Sequence, residues 1–105
     1  MININIIDLS EFETSEEFKP NKLIQKDEVE VVLLAFEEGQ GLPVHTTPVD
    51  VFFHVLHGEA KIKVGEEEKT VSEGKIVESP ADIPHTVKNK SNGKAEILVV
   101  KTPKP

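Results

Sequence analysis

Apolar and polar positions alternate along several stretches of this chain. At the start, Ile2, Ile4 and Ile6 share one side of an extended segment and Asn3 and Asn5 the other, the period of a half-buried strand. Ser10 with Glu13, and Thr14 with Glu17, have capping-box spacing, which predicts a short helical turn near Ser10–Phe18, closed by Pro20. From Asn21 onward every signal is β. Lys22–Asp27 and Val29–Glu37 are predicted strands, the second a nearly continuous β-branched run expected to be buried on both faces. Gly39 and Gly41 interrupt the pattern. Val51–Leu56, Ala60–Val64, Lys69–Val71, Ile76–Glu78, His85–Asn89 and Glu96–Lys101 follow as short strands. They are separated by His57-Gly58, Gly65-Glu66, Glu73-Gly74, Ser79-Pro80 and Ser91-Asn92-Gly93. Short strands with a turn signal every several residues predict an all-β sandwich or closed barrel and exclude a parallel sheet.

The spacing of those turns carries more than a fold class. Gly39, His45, Thr47, Val51 and Gly58 form one series, and Gly74, Pro80, His85 and Asn89 a second. Both are in register with the two motifs of the cupins, and from about Lys22 to Lys101 the chain resembles a small stand-alone cupin with a degenerate first motif. That motif runs from a glycine to His-x-His, three or four residues, Glu, six residues and a glycine. The resemblance implies a double-stranded β-helix, the cupin form of the jelly roll. Val51, Phe53 and Val55 are then inside. Asp82 stands where the second motif has an inner glycine, so that turn departs from the pattern.

The resemblance also implies where a metal would be held. Metal-binding cupins use two histidines and a carboxylate from the first motif and one histidine from the second. Here His45 and His85 fill two of those positions, while Thr47 and Val51 replace the others. Two imidazoles fall short of the three protein ligands usual at a catalytic zinc site. Asp50 is the one candidate substitute: it lies one residue before the missing carboxylate, and a β-bulge beside Pro48 would be needed to turn it inward. His57 shares the parity of Val51 but lies roughly 20 Å further along an extended strand. His54 has the opposite parity, with Phe52 and Leu56, and belongs to an outer face expected to be covered by a subunit interface. Asn89 is read as a brace for the His85 strand, and Glu66-Glu67-Glu68 as a solvated hairpin tip.

Composition narrows the remaining choices. All twelve Lys/Arg positions are lysine, the formal charge is −7, and cysteine, Trp and Tyr are absent. An acidic chain with few aromatics is a poor nucleic-acid binder. The lack of arginine removes the usual bidentate clamp for an anion. No segment approaches the roughly 18 apolar residues of a membrane span, and the acidic N-terminus is unlike a signal peptide. A cytoplasmic protein is expected, with residues 1–105 a single domain, a barrel core at about 22–101 and an N-terminal strand at 2–7 that adds to a dimer partner's sheet. No nucleophile–base pair or phosphate loop is visible. Three functions fit. One is a small-molecule-binding cupin whose pocket is lined by His45, Thr47, Val51, Phe53 and His85, without tightly bound metal. Another is a metal-dependent enzyme, isomerase- or oxygenase-like, with a divalent transition metal on His45 and His85 and on water or Asp50. The third is an accessory protein whose barrel serves mainly for homodimerisation.

Overall fold

The computed structural model describes residues 3–105. Its strands are β1 (Asn21–Lys26), β2 (Val29–Phe36), β3 (Gly41–His45), β4 (Asp50–His57), β5 (Glu59–Val64), β6 (Glu67–Ser72), β7 (Ile76–Ser79), β8 (His85–Asn89) and β9 (Ala95–Thr102). They form a five-stranded sheet in the order β1-β2-β9-β4-β7 and a four-stranded sheet in the order β3-β8-β5-β6, with every pairing antiparallel. Chain-distant strands are neighbours in both sheets, as the expected double-stranded β-helix requires.

Alternation sets what lies between the sheets. Val32, Leu34 and Phe36 of β2, Val51, Phe53 and Val55 of β4, and Ala95, Ile97 and Val99 of β9 point inward. They meet Ala60, Ile62, Val71 and Val87 from the other sheet. Val51, Phe53 and Val55 are at most 3% exposed, as the motif spacing predicts. β2 is buried on both faces over Val32–Phe36. Leu33 and Ala35 point away from the core cluster and are nevertheless closed off from solvent.

The turns follow their residues. Val64 pairs with Glu67 across Gly65-Glu66, and φ of +60° at Gly65 suits the first central position of a type II′ hairpin. Gly58 has φ of +82°, and a Cβ there would collide with the Ser91 hydroxyl that accepts the Glu59 N–H. Asp82, the departure from the second motif, is the single non-glycine at positive φ among the described residues, at 67°. The turn therefore keeps the glycine-type conformation that its sequence lacks. Aspartate is one of the few side chains that tolerates it.

Three N-terminal and loop expectations need correcting. The helical turn is a 3₁₀ turn limited to Leu9–Glu11, because Asp8 takes the capping role: its Oδ1 accepts from Ser10 N at 3.0 Å and from Ser10 Oγ at 2.7 Å. Beyond it the chain is irregular, and Phe18 lies against Phe36 with ring centroids 4.7 Å apart. The strand expected at 2–7 is not formed over residues 3–7, where Ile4 and Ile6 are 86% and 82% exposed; Ile2 lies outside the described residues. A strand was not expected at Gly41–His45, yet β3 forms there because β8 supplies a partner.

Candidate functional site

The two series of motif residues converge at one end of the sandwich. His45 closes β3 and His85 opens β8, and they are directly opposite each other in that pairing. A register slip between Leu42 and His45 turns the His45 ring toward His85, at the exposed mouth of the barrel. The two Nε2 atoms stand 3.4 Å apart, with the rings nearly perpendicular at 87°. His85 is 3% exposed, and its Nδ1 lies 2.9 Å from the buried Ser79 hydroxyl, which fixes the ring with Nε2 toward His45. Phe53 packs edge-on against the same ring, centroids 5.3 Å apart. On the other side, Thr47 Oγ1 lies 3.3 Å from His45 Nε2. Ser79, His85, His45 and Thr47 thus form one continuous polar line into the barrel.

Burial, and after it the neighbouring His45 and Lys101, push the His85 imidazole down to about 4 from its usual 6.5; a backbone hydrogen bond at Ile83 acts the other way. The His85 ring is neutral at pH 7. Each ring turns its Nε2 toward the other, so the pair presents two facing ring nitrogens to any group placed between them.

The histidines border a cavity of about 300 Å³, at the small end of small-molecule sites. Its walls are Val32, Leu34, Leu42, Pro43, Phe53 and Val99, with Pro20 at the edge, and its polar residues are Lys22, Glu30, Lys101, His45 and His85. Of the five pocket residues expected from the sequence, His45, Phe53 and His85 line it. Thr47 is buried behind His45, and Val51 is a core residue bordering a separate shallow pocket beside Asp50. Glu30, Lys22 and Lys101 were not foreseen. Parity alone points to two of them: Glu30 continues the inner row Phe36, Leu34, Val32, and Lys101 continues Ala95, Ile97, Val99.

Sheet register gives that end of the barrel a defined order. Glu30 pairs with Lys101, Lys101 with Val51, and Val51 with Ser79, so these four stand in one row across β2, β9, β4 and β7. Val51 is an apolar gap in an otherwise polar row. Lys101 Nζ has Glu30 Oε1 as its carboxylate, at 3.9 Å.

A zinc-like ion bonded to two imidazoles at about 2.0–2.1 Å and near-tetrahedral angle would hold the nitrogens roughly 3.3–3.4 Å apart, so the His45–His85 pair is correctly spaced for two ligands. The rest of a ligand set is missing. Among the described residues no group of three His, Cys, Asp or Glu side chains could surround an ion. Asp50, the expected substitute, is spent elsewhere: its Oδ1 accepts from Ala81 N at 2.9 Å. β4 runs without a bulge between Asp50 and Val51, so alternation keeps the carboxylate outside. These residues do not fit a tightly held metal. His57 is far from the site and meets Glu73 at 3.7 Å on the surface, and His54 faces outward between Leu98 and Ile76. Asn89 ties loops together, its Nδ2 donating to Glu37 O and Gly93 O.

No helix of the described residues is long and apolar enough to cross a membrane. No curated protein matches the chain. Among solved structures, the TT1209 protein of Thermus thermophilus is 32% identical, over 97% of this chain and 100% of that one, with a TM-score of 0.88. A conserved protein of unknown function from Streptococcus pyogenes is 24% identical, over 100% of this chain and 91% of that one, at a TM-score of 0.81. An RmlC-like cupin with a double-stranded β-helix fold from Methanocaldococcus jannaschii shares the fold, at 21% identity, 100% and 94% coverage and a TM-score of 0.82. The cupin domain family itself matches residues 32–101, a span that contains both glycine-framed motifs and every strand from β3 to β8, and the chain belongs to that family.

Proposed function

We propose that this cupin binds a small organic molecule in the cavity beside His45 and His85, without tightly held metal. One observation carries the reading: an apolar-walled cavity of about 300 Å³ into which two separate motifs deliver facing imidazoles and no third metal ligand. The alternative, a metal-dependent isomerase- or oxygenase-like enzyme, draws its support from the 3.4 Å nitrogen spacing. Metal analysis of untagged protein separates the two. The binding reading expects well under one equivalent of transition metal after chelator dialysis, together with saturable shifts of cavity resonances in an NMR fragment screen. One retained equivalent would overturn it in favour of the enzyme.

We also propose that the outer face of the five-stranded sheet pairs with a second copy. Ile24, Val31, Val100 and Phe52 form one outward row and Leu98, His54 and Ile76 the next, and Ile76 is 57% exposed. The first row ends on Glu78 of β7 and its Val100 is already buried, but the rest of these apolar side chains are partly or fully open, and such a face calls for cover. A standard interface buries about 800 Å² per partner. Sedimentation at tens of micromolar should give the dimer mass, and Leu98→Lys should give the monomer; a monomeric wild type would end the idea.

A further inference from the structure

Glu30 is the least explained polar side chain in the molecule. It stands on the inner face of β2, and its side chain is only 7% exposed. It makes no hydrogen bond among the described residues, and its one charged neighbour, Lys101 Nζ, lies at 3.9 Å, beyond hydrogen-bonding reach. Yet no fully buried side-chain oxygen among the described residues is left without a partner. The open acceptor positions of Glu30 therefore face the cavity that it lines. A mostly enclosed carboxylate with no protein donor depends on water or a bound molecule to supply one.

The surroundings limit what that something is. Lys101 and Lys22 line the same cavity, so a second cation meets two like charges in a poorly screened space. An anion is drawn by the two lysines but has no donor for the open acceptors of Glu30. An uncharged donor meets neither penalty. The two carboxylate oxygens accept from neighbouring O–H groups at once, and the Lys101 ammonium donates back to a hydroxyl oxygen. The walls beyond them, Leu34, Phe53 and Val99, take an apolar body.

We propose that Glu30 and Lys101 together are the polar anchor of this cavity, and that they select an uncharged ligand carrying adjacent hydroxyl groups on an apolar frame; the inference rests on the small-molecule reading above.

The test uses four probes of one shape, cis-cyclohexane-1,2-diol, cyclohexanol, cyclohexanecarboxylate and cyclohexylammonium, titrated into the full chain. Binding is followed by NMR on Phe53, Val99 and His85. Ligands this small bind with dissociation constants of roughly millimolar or weaker. The diol is expected to bind about tenfold more tightly than each of the others, because it alone of the uncharged probes gives Glu30 two hydrogen bonds, and the ammonium, which has the donors, meets Lys22 and Lys101. Glu30→Gln should erase most of that preference and leave cyclohexanol nearly unchanged. Glu30→Met should erase it entirely while raising the melting temperature by a few degrees, since an apolar side chain replaces an under-bonded buried carboxylate. The variants thus report on the anchor in a folded protein. If the four probes bind alike, or the carboxylate binds best, the hydroxyl assignment is wrong and the cavity reading stands. If none shifts a cavity resonance, both are wrong.

Discussion

Acidification forces a proton onto His85 and should unfold the barrel from that point. In the folded chain the imidazole is held down to about 4, against 6.5 ordinarily. Between those values the unfolded chain binds the proton and the folded chain refuses it, so stability falls as pH falls through the window. Above about 6.5 and below about 4 this group adds no further slope. A difference of roughly two to three pH units corresponds to on the order of 3 kcal/mol, a large share of the 5–15 kcal/mol typical of a domain. For a chain of this size that amounts to roughly 10–20 °C in melting temperature. Other groups also gain protons as the pH falls, so the measurement is a difference: urea unfolding of wild type and of His85→Gln at several pH values from about 7 to 4. Glutamine cannot take the charge and still reaches the Ser79 hydroxyl. The wild type should lose about 3 kcal/mol relative to the variant across the window. A flat difference, or an NMR titration of His85 centred near 6.5, would refute the burial argument.

Other perturbations follow from the same geometry. Thr47→His with Val51→Glu should create a metal site, because position 51 stands beside Ser79 and Lys101 in the row that reaches His85. Without metal, the buried glutamate should destabilise the double variant by about 3 kcal/mol, while Co²⁺ should restore stability and give a tetrahedral visible spectrum that the wild type lacks. Phe53→Ala should cost about 3–5 kcal/mol in urea unfolding, since that ring is 1% exposed and backs both the core and His85. Asp82→Gly should raise stability by about 1 kcal/mol, because the residue already holds a φ of 67° that glycine adopts without strain; a loss of stability would mean that the aspartate side chain contributes something the backbone does not need.

The barrel was legible because its punctuation is chemical. Gly58 and Gly65 mark turns that need positive φ, and the inward row Val51, Phe53, Val55 is plain alternation. Residues that depend on a partner were harder to read. β3 has little strand character of its own, with Pro43 inside it and four of five residues exposed, and becomes a strand only against β8. Asp50 illustrates the opposite case: alternation already said that it faces outward, and the bulge that would have overruled alternation is absent. Glu30 and Lys101 were missed for a simpler reason. Their strands read as continuous apolar runs, which hides the fact that the inner phase of each ends on a charge.

β3 has a mechanical consequence. It is an edge strand held by β8 alone, its ladder slips between Leu42 and His45, and Pro43 offers no N–H. It nonetheless supplies Leu42, Pro43 and His45 to the cavity. Part of the cavity wall is thus carried by an edge strand whose amides are expected to exchange readily. On the proposed reading, a bound molecule should fasten this strand, and hydrogen exchange at Val44 and His45 should slow on occupancy.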